Sequence, residues 1–111
     1  MTAEEYLLKG REIQKQAEQL RKLVEHLHKQ KSKAYLPYLK RYQKTTQLQS
    51  VWERRANQII DSLEDPNERL ALSLSYIQCM PKEDIAQVMG YCRRQVNRIV
   101  RRALQNVEKH L

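Results

Sequence analysis

Between Pro81 and Leu104 two apolar stripes at helical spacing are split by a single glycine, and this constrains the fold more than any other stretch of the chain. The segment is PKEDIAQVMGYCRRQVNRIVRRAL. Ile85, Ala86 and Met89 make the stripe of a short first helix. Gly90 follows directly, where a positive φ can close a helix without a steric clash. A second helix starting near Cys92 then carries Val96, Ile99, Val100, Ala103, Leu104 and Val107 on one side of a cylinder with 3.6 residues per turn. Ile85, Ala86 and Met89 are expected to meet Val96 and Ile99 across the turn, with Ala86 small enough to let the helices cross closely. The pattern is that of a helix-turn-helix.

The other side of the second helix is basic. Five arginines and no acid lie between Tyr91 and Gln105. Such a face is often only solvated surface, but here turn chemistry, apolar spacing and charge agree, and they point to double-stranded DNA as the partner. A helix in the major groove contacts base edges near its N-terminus and phosphates further along. Arginine pairs with guanine, and Asn or Gln with adenine, through two hydrogen bonds each. Arg93, Arg94, Gln95, Asn97 and Arg98 are therefore the candidates for base contact, Arg101 and Arg102 for the backbone, and Lys82 and Tyr91 complete the expected DNA-binding set. Upstream, Asp65-Pro66-Asn67-Glu68 has the chemistry of a helix start, with Asp65 as N-cap and Pro66 at the first helical position. The helix it opens, with Leu70, Leu74 and Ile77, is expected to buttress the next two and to end before Pro81.

With these residues in view, positions 60 to 108 resemble region 4 of the bacterial sigma factors and are similar to the sigma-like phage regulators of the RinA and ArpU type. The matching residues are Asp65-Pro66-Asn67-Glu68-Arg69, Tyr76-Ile77, Glu83-Asp84-Ile85-Ala86, Met89-Gly90-Tyr91, Val96, Ile99 and Arg102-Ala103-Leu104. The resemblance implies a helix-turn-helix that binds the major groove at a promoter, and in some relatives touches RNA polymerase. Position 92, commonly a small hydroxyl N-cap in such sequences, is Cys, a weaker cap.

Two glycines, three prolines and an abundance of Leu, Lys, Gln, Glu and Arg in 111 residues argue for an all-α protein. Phe is absent, so the core must be modest and an oligomer is plausible. The net charge of +8 favours a polyanionic partner. No apolar run approaches the ~20 residues a bilayer requires, and the start MTAEEYLLKG lacks a secretory pattern, so a cytoplasmic location without membrane contact is expected. Cys79 and Cys92 are two thiols without a CxxC spacing, and no zinc-type ligand set stands out. Nor does a phosphate loop or a nucleophile beside a base. No cofactor, metal or catalytic residue is expected, and no enzyme activity.

The N-terminal half carries a heptad-like pattern. Tyr6, Ile13, Leu20, Leu27 and Ala34 recur every seven residues, with Ala3, Gly10, Ala17 and Val24 as a second series. A seam of large and small residues of this kind suits a dimerising coiled coil, with Tyr6, Ile13, Ala17, Leu20, Val24 and Leu27 as oligomerisation residues. The same stripe equally suits a long helix packed on its own chain. After Pro37, Tyr38, Tyr42, Thr45, Gln49, Trp52, Ala56, Ile59 and Leu63 again follow steps of four and three. One helix over 37–63 would make an antiparallel hairpin with the first; otherwise QKTTQLQS is a loop and the helix begins near Thr46. Tyr35, Tyr38 and Tyr42 with Lys33, Lys40, Arg41 and Lys44 form a basic aromatic cluster suited to packing or to stacking on nucleic acid.

The expected architecture is a long N-terminal helix or coiled-coil-like hairpin over 1–63, an oligomerisation region, followed by a three-helix DNA-binding domain over 64–111. The expected function is a sequence-specific transcriptional regulator of phage or prophage type, an activator acting as a homodimer and in contact with RNA polymerase if it follows its relatives. Two alternatives stand beside it: a small terminase-like DNA-packaging subunit, and a module that binds RNA polymerase or a sigma factor with little DNA specificity.

Overall fold

A computed structural model describes residues 2–109. Every regular element among the described residues is a helix: α1 spans Ala3–Lys29, α2 Tyr35–Asp61, α3 Pro66–Leu72, α4 Lys82–Met89 and α5 Arg93–Glu108. The hydroxyl of Thr2 accepts from the Glu5 amide at 3.1 Å and caps α1, with Glu4 and Glu5 favourably placed in its first turn. Pro37 falls in the first turn of α2, where its missing N–H has no helical partner to lose. That is why α2 begins ahead of the proline, at Tyr35, and the polar run over 43–50 continues as helix.

The first two helices form an antiparallel hairpin. Gly10 of α1 lies flat on the Trp52 ring: a Cβ there would come within 1.9 Å of the ring carbons. The indole N–H donates to the Tyr6 carbonyl at 3.0 Å, and Tyr6 stands beside the ring with centroids 6.3 Å apart. Ala17 and Val24 of the heptad seam are buried, Tyr6 and Ile13 pack on the core, and Leu20 and Leu27 are half-buried. Much of the seam is therefore used within the chain, in the hairpin that its spacing also allowed. At the turn, His28 stacks on Tyr35, and Arg41 lies over the Tyr38 ring at 5.2 Å. Two of the cluster tyrosines thus pack on neighbours in the chain.

Asp65 caps α3 by accepting from the Asn67 amide at 2.9 Å, with Pro66 at the first helical position. The helix does not run on regularly to Pro81. After Leu72 it widens into a π turn over Ser73–Ile77, closed by the Gln78 amide on the Ser73 carbonyl at 3.0 Å. Cys79 then leaves with a φ of 52°. Its thiol donates to Gln14 Oε1 at 2.6 Å, while Gln14 Nε2 donates to the Ile77 carbonyl at 2.8 Å, so the exit of the turn is fastened to α1.

One core spans both halves of the chain. Ala3 and Leu7 of α1, and Trp52, Ala56 and Ile60 of α2, belong to the same buried cluster as Leu72, Tyr76, Ile85, Val96, Ile99, Ala103 and Val107. The Ala3 amide donates to the Glu108 carboxylate at 2.6 Å, tying the start of α1 to the end of α5.

Candidate nucleic-acid interface

The turn between α4 and α5 is built on Gly90. With φ at 73°, it lets the Tyr91 amide reach back to the Ala86 carbonyl at 3.0 Å and its own amide reach Gln87 at 3.4 Å, a Schellman closure. Tyr91 packs on the core, and its hydroxyl accepts from the Asn67 side chain at 3.1 Å. Tyr91 thereby locks the turn to α3, which gives this expected DNA residue a structural task.

At the start of α5 the chain solves the weak thiol cap. Gln95 folds back so that its Oε1 accepts from the Cys92 amide at 3.0 Å, the glutamine half of a capping box. Its amide is directed at its own backbone, and so it helps define where α5 begins. Ile85, Val96, Val100 and Ala103 are buried between α4, α5 and the rest of the core, which fixes the helix about its long axis.

The arginines of α5 divide into two groups. Arg93 pairs with Glu83 of α4 at 2.8 Å, both side chains well exposed. Arg102 reaches back to α3: its Nε donates to Oε1 of Glu68 at 2.8 Å, and it lies 3.5 Å from Asp65. Glu68 is only 3% exposed and also accepts from Nδ2 of Asn106 at 3.0 Å on each oxygen. The carboxylate therefore binds two successive turns of α5 and holds the helix in register against α3. Glu68 is a site residue that sequence reasoning placed only at the helix start; its partners lie far along the chain, and no local spacing marks them.

Arg94, Arg98 and Arg101 are exposed and have no ion-pair partner among the described residues. At 100° per residue they and Gln105 share one side of α5, opposite the buried stripe. Asn97 lies at the edge of this face, half-buried, with Oδ1 enclosed and without a hydrogen-bond partner. It lines a cleft with Lys82, Arg101 and Tyr76. Lys82 of α4, Arg101 of α5 and Glu4 of α1 line the same cleft, so two of the expected cations and one acid border it. Burial is the main cause that pushes the Tyr76 phenol up, the Glu4 carboxylate adding and Arg11 opposing.

Cys79 and Cys92 are free thiols, and no cluster of three or more His, Cys, Asp or Glu side chains suited to a metal occurs among the described residues. No described helix is long and apolar enough to cross a membrane.

The protein-family comparison matches residues 59–109 to Sigma-70, region 4. The matched stretch takes in the end of α2 and all of α3 to α5. No curated protein and no solved structure matches the chain.

Proposed function

We propose that this chain, whose C-terminal segment is a sigma region 4-like helix-turn-helix, is a sequence-specific transcriptional regulator that lays α5 in the major groove. The observation that carries the reading is the division of the α5 arginines. Arg93 and Arg102 are engaged with acids of the protein, while Arg94, Arg98 and Arg101 are exposed, without an ion-pair partner among the described residues, on a helix whose rotation is fixed by Glu68 and the core. A rigid helix presenting free arginines on one side has the means to hold guanine edges and phosphates in register. Arg94 and Arg98, nearer the helix start, take the base edges; Arg101 with Lys82 takes the backbone. The regulator is an activator of phage or prophage type, as the resemblance of residues 60 to 108 to the sigma-like phage regulators implies, and the match to Sigma-70, region 4 supports its action at a promoter close to RNA polymerase.

A mobility-shift titration tests this, on DNA from upstream of the protein's own and adjacent genes against random DNA of equal length. Cognate binding is expected to be tighter by a factor of ~10³ or more at physiological salt, and to weaken steeply as salt rises because phosphate contacts release counterions. Arg98→Ala is expected to relax preference at one base pair at a cost of about 1–3 kcal/mol, and Arg101→Ala to weaken all sequences alike. Equal losses on cognate and random DNA for both variants would overturn the placement of the reading face. Indiscriminate, salt-labile binding by the wild type would overturn the regulator itself. A footprint separates one bound copy from a homodimer, which would protect two half-sites about one helical turn apart.

A further inference from the structure

Away from α5, one face of the α1–α2 hairpin combines exposed apolar side chains with uncompensated positive charge. Leu48 and Val51 of α2 are 56% and 65% exposed, and Leu23 of α1 is 36% exposed. They border two clefts along the seam between the helices, which share Gln16 and run from the Tyr6 end to the Leu23 end. Half-buried Ile13 and Leu20 contribute to the same clefts. Exposed apolar side chains set along adjoining clefts of this sort suit an interaction site.

The rim says what covers it. Lys9, Arg41, Lys44 and Arg55 line the clefts against one acid, Glu12, and none of the five has an ion-pair partner among the described residues. Arg55 lies over the Tyr6 ring at 5.8 Å, which holds one of these cations at the rim. A second copy of the chain fits poorly: a two-fold contact sets a patch against itself, and here that would oppose four cations to four, with one carboxylate each. A phosphate backbone would satisfy the cations and leave the leucines and Val51 without counterparts. An amphipathic helix with acidic flanks meets both demands, since its apolar side fills the groove and its Glu or Asp residues meet the rim. From Tyr6 to Leu23 the groove is about 25 Å long at 1.5 Å per residue, the length of a helix of roughly 17 residues.

We propose that this face of the hairpin binds an acidic amphipathic helix of a partner protein. The inference does not depend on DNA recognition, because none of its residues belongs to α4 or α5. The test is a displayed library of helical peptides of about 18 residues, with apolar residues fixed at i, i+3, i+4 and i+7 and Glu, Gln or Lys allowed at the flanking positions. It is selected on the full wild-type chain. Glu is expected to be enriched at the flanks, and a synthetic peptide from the selected pool is expected to bind roughly tenfold or more weakly to the double variant Leu48→Asp/Val51→Asp and to Arg41→Glu/Lys44→Glu. All four positions are exposed, so helicity by circular dichroism and the mobility shift on DNA are expected to stay as in the wild type. Failure to select any peptide, selection without a charge preference or for Lys, or equal binding by the Leu48→Asp/Val51→Asp variant would overturn the proposal. So would sedimentation showing a wild-type dimer that this variant dissolves, which would give the face to a second copy.

Discussion

Removing the guanidinium of Arg102 leaves Glu68, 3% exposed, with only the Asn106 amide among the described residues to meet its charge. A buried acceptor that loses a partner carries a desolvation cost of about 1–3 kcal/mol. Arg102→Ala is therefore expected to lower the urea midpoint, and to affect DNA binding only through the loosened seat of α5. Arg98→Ala, at a residue with no ion-pair partner among the described residues, is expected to leave the midpoint in place, so the two arginines separate in one denaturation series. Tyr76 offers a second residue-level readout. Burial holds its phenol above the ordinary tyrosine range, so the folded state favours the neutral form. The stability this contributes is present below about pH 10 and is lost as pH rises through the elevated value. In an alkaline absorbance titration one of the six tyrosines is expected to ionise late and together with unfolding, and Tyr76→Phe to remove that step.

Two glycines do unlike work in the helices they serve. At Gly10 an added methyl would collide with Trp52, so Gly10→Ala is expected to cost about 1–3 kcal/mol by overpacking, reduced by the ~1 kcal/mol that alanine gains in helix propensity. At Gly90 nothing lies within 4 Å of an added Cβ, but φ is 73°, so Gly90→Ala is expected to cost about 1–2 kcal/mol from backbone alone. Thermal denaturation measures both; only the first is expected to change the fluorescence of Trp52, the sole tryptophan. The contrast also marks what could be read from the chain. Gly90 declares itself locally, by ending one apolar stripe just before another begins, and α4, the turn and α5 were legible for that reason. The Asp65-Pro66 start was legible in the same way, from neighbours in sequence. Gly10 gives no such local sign, because its reason lies forty-two positions away at Trp52. The π turn over Ser73–Ile77 was hidden likewise, since the contacts that favour it, Gln14 with Ile77 and Cys79, come from α1. At the site, the basic face was visible as a face, but its division into anchored and free arginines depended on Glu83 and Glu68, whose pairing no periodicity encodes.

Taken together, the molecule is less divisible than its sequence pattern implies. A boundary between 63 and 64 would strip Ala3, Leu7, Trp52, Ala56 and Ile60 from the core that supports α5. Residues 64–109 alone are expected to lose cooperative unfolding and most helical circular dichroism; a folded fragment with wild-type DNA affinity would show that the hairpin is dispensable to the core. The bond between the Ala3 amide and Glu108 has a consequence in time as well as in space. During synthesis α1 leaves the ribosome well before α5, so this contact joins segments 105 positions apart. Such distant pairings make folding slower than in a bundle of local hairpins, and no partial length of chain holds a finished α5. The core around α5 therefore closes only when that helix has emerged to meet an α1 already waiting for it.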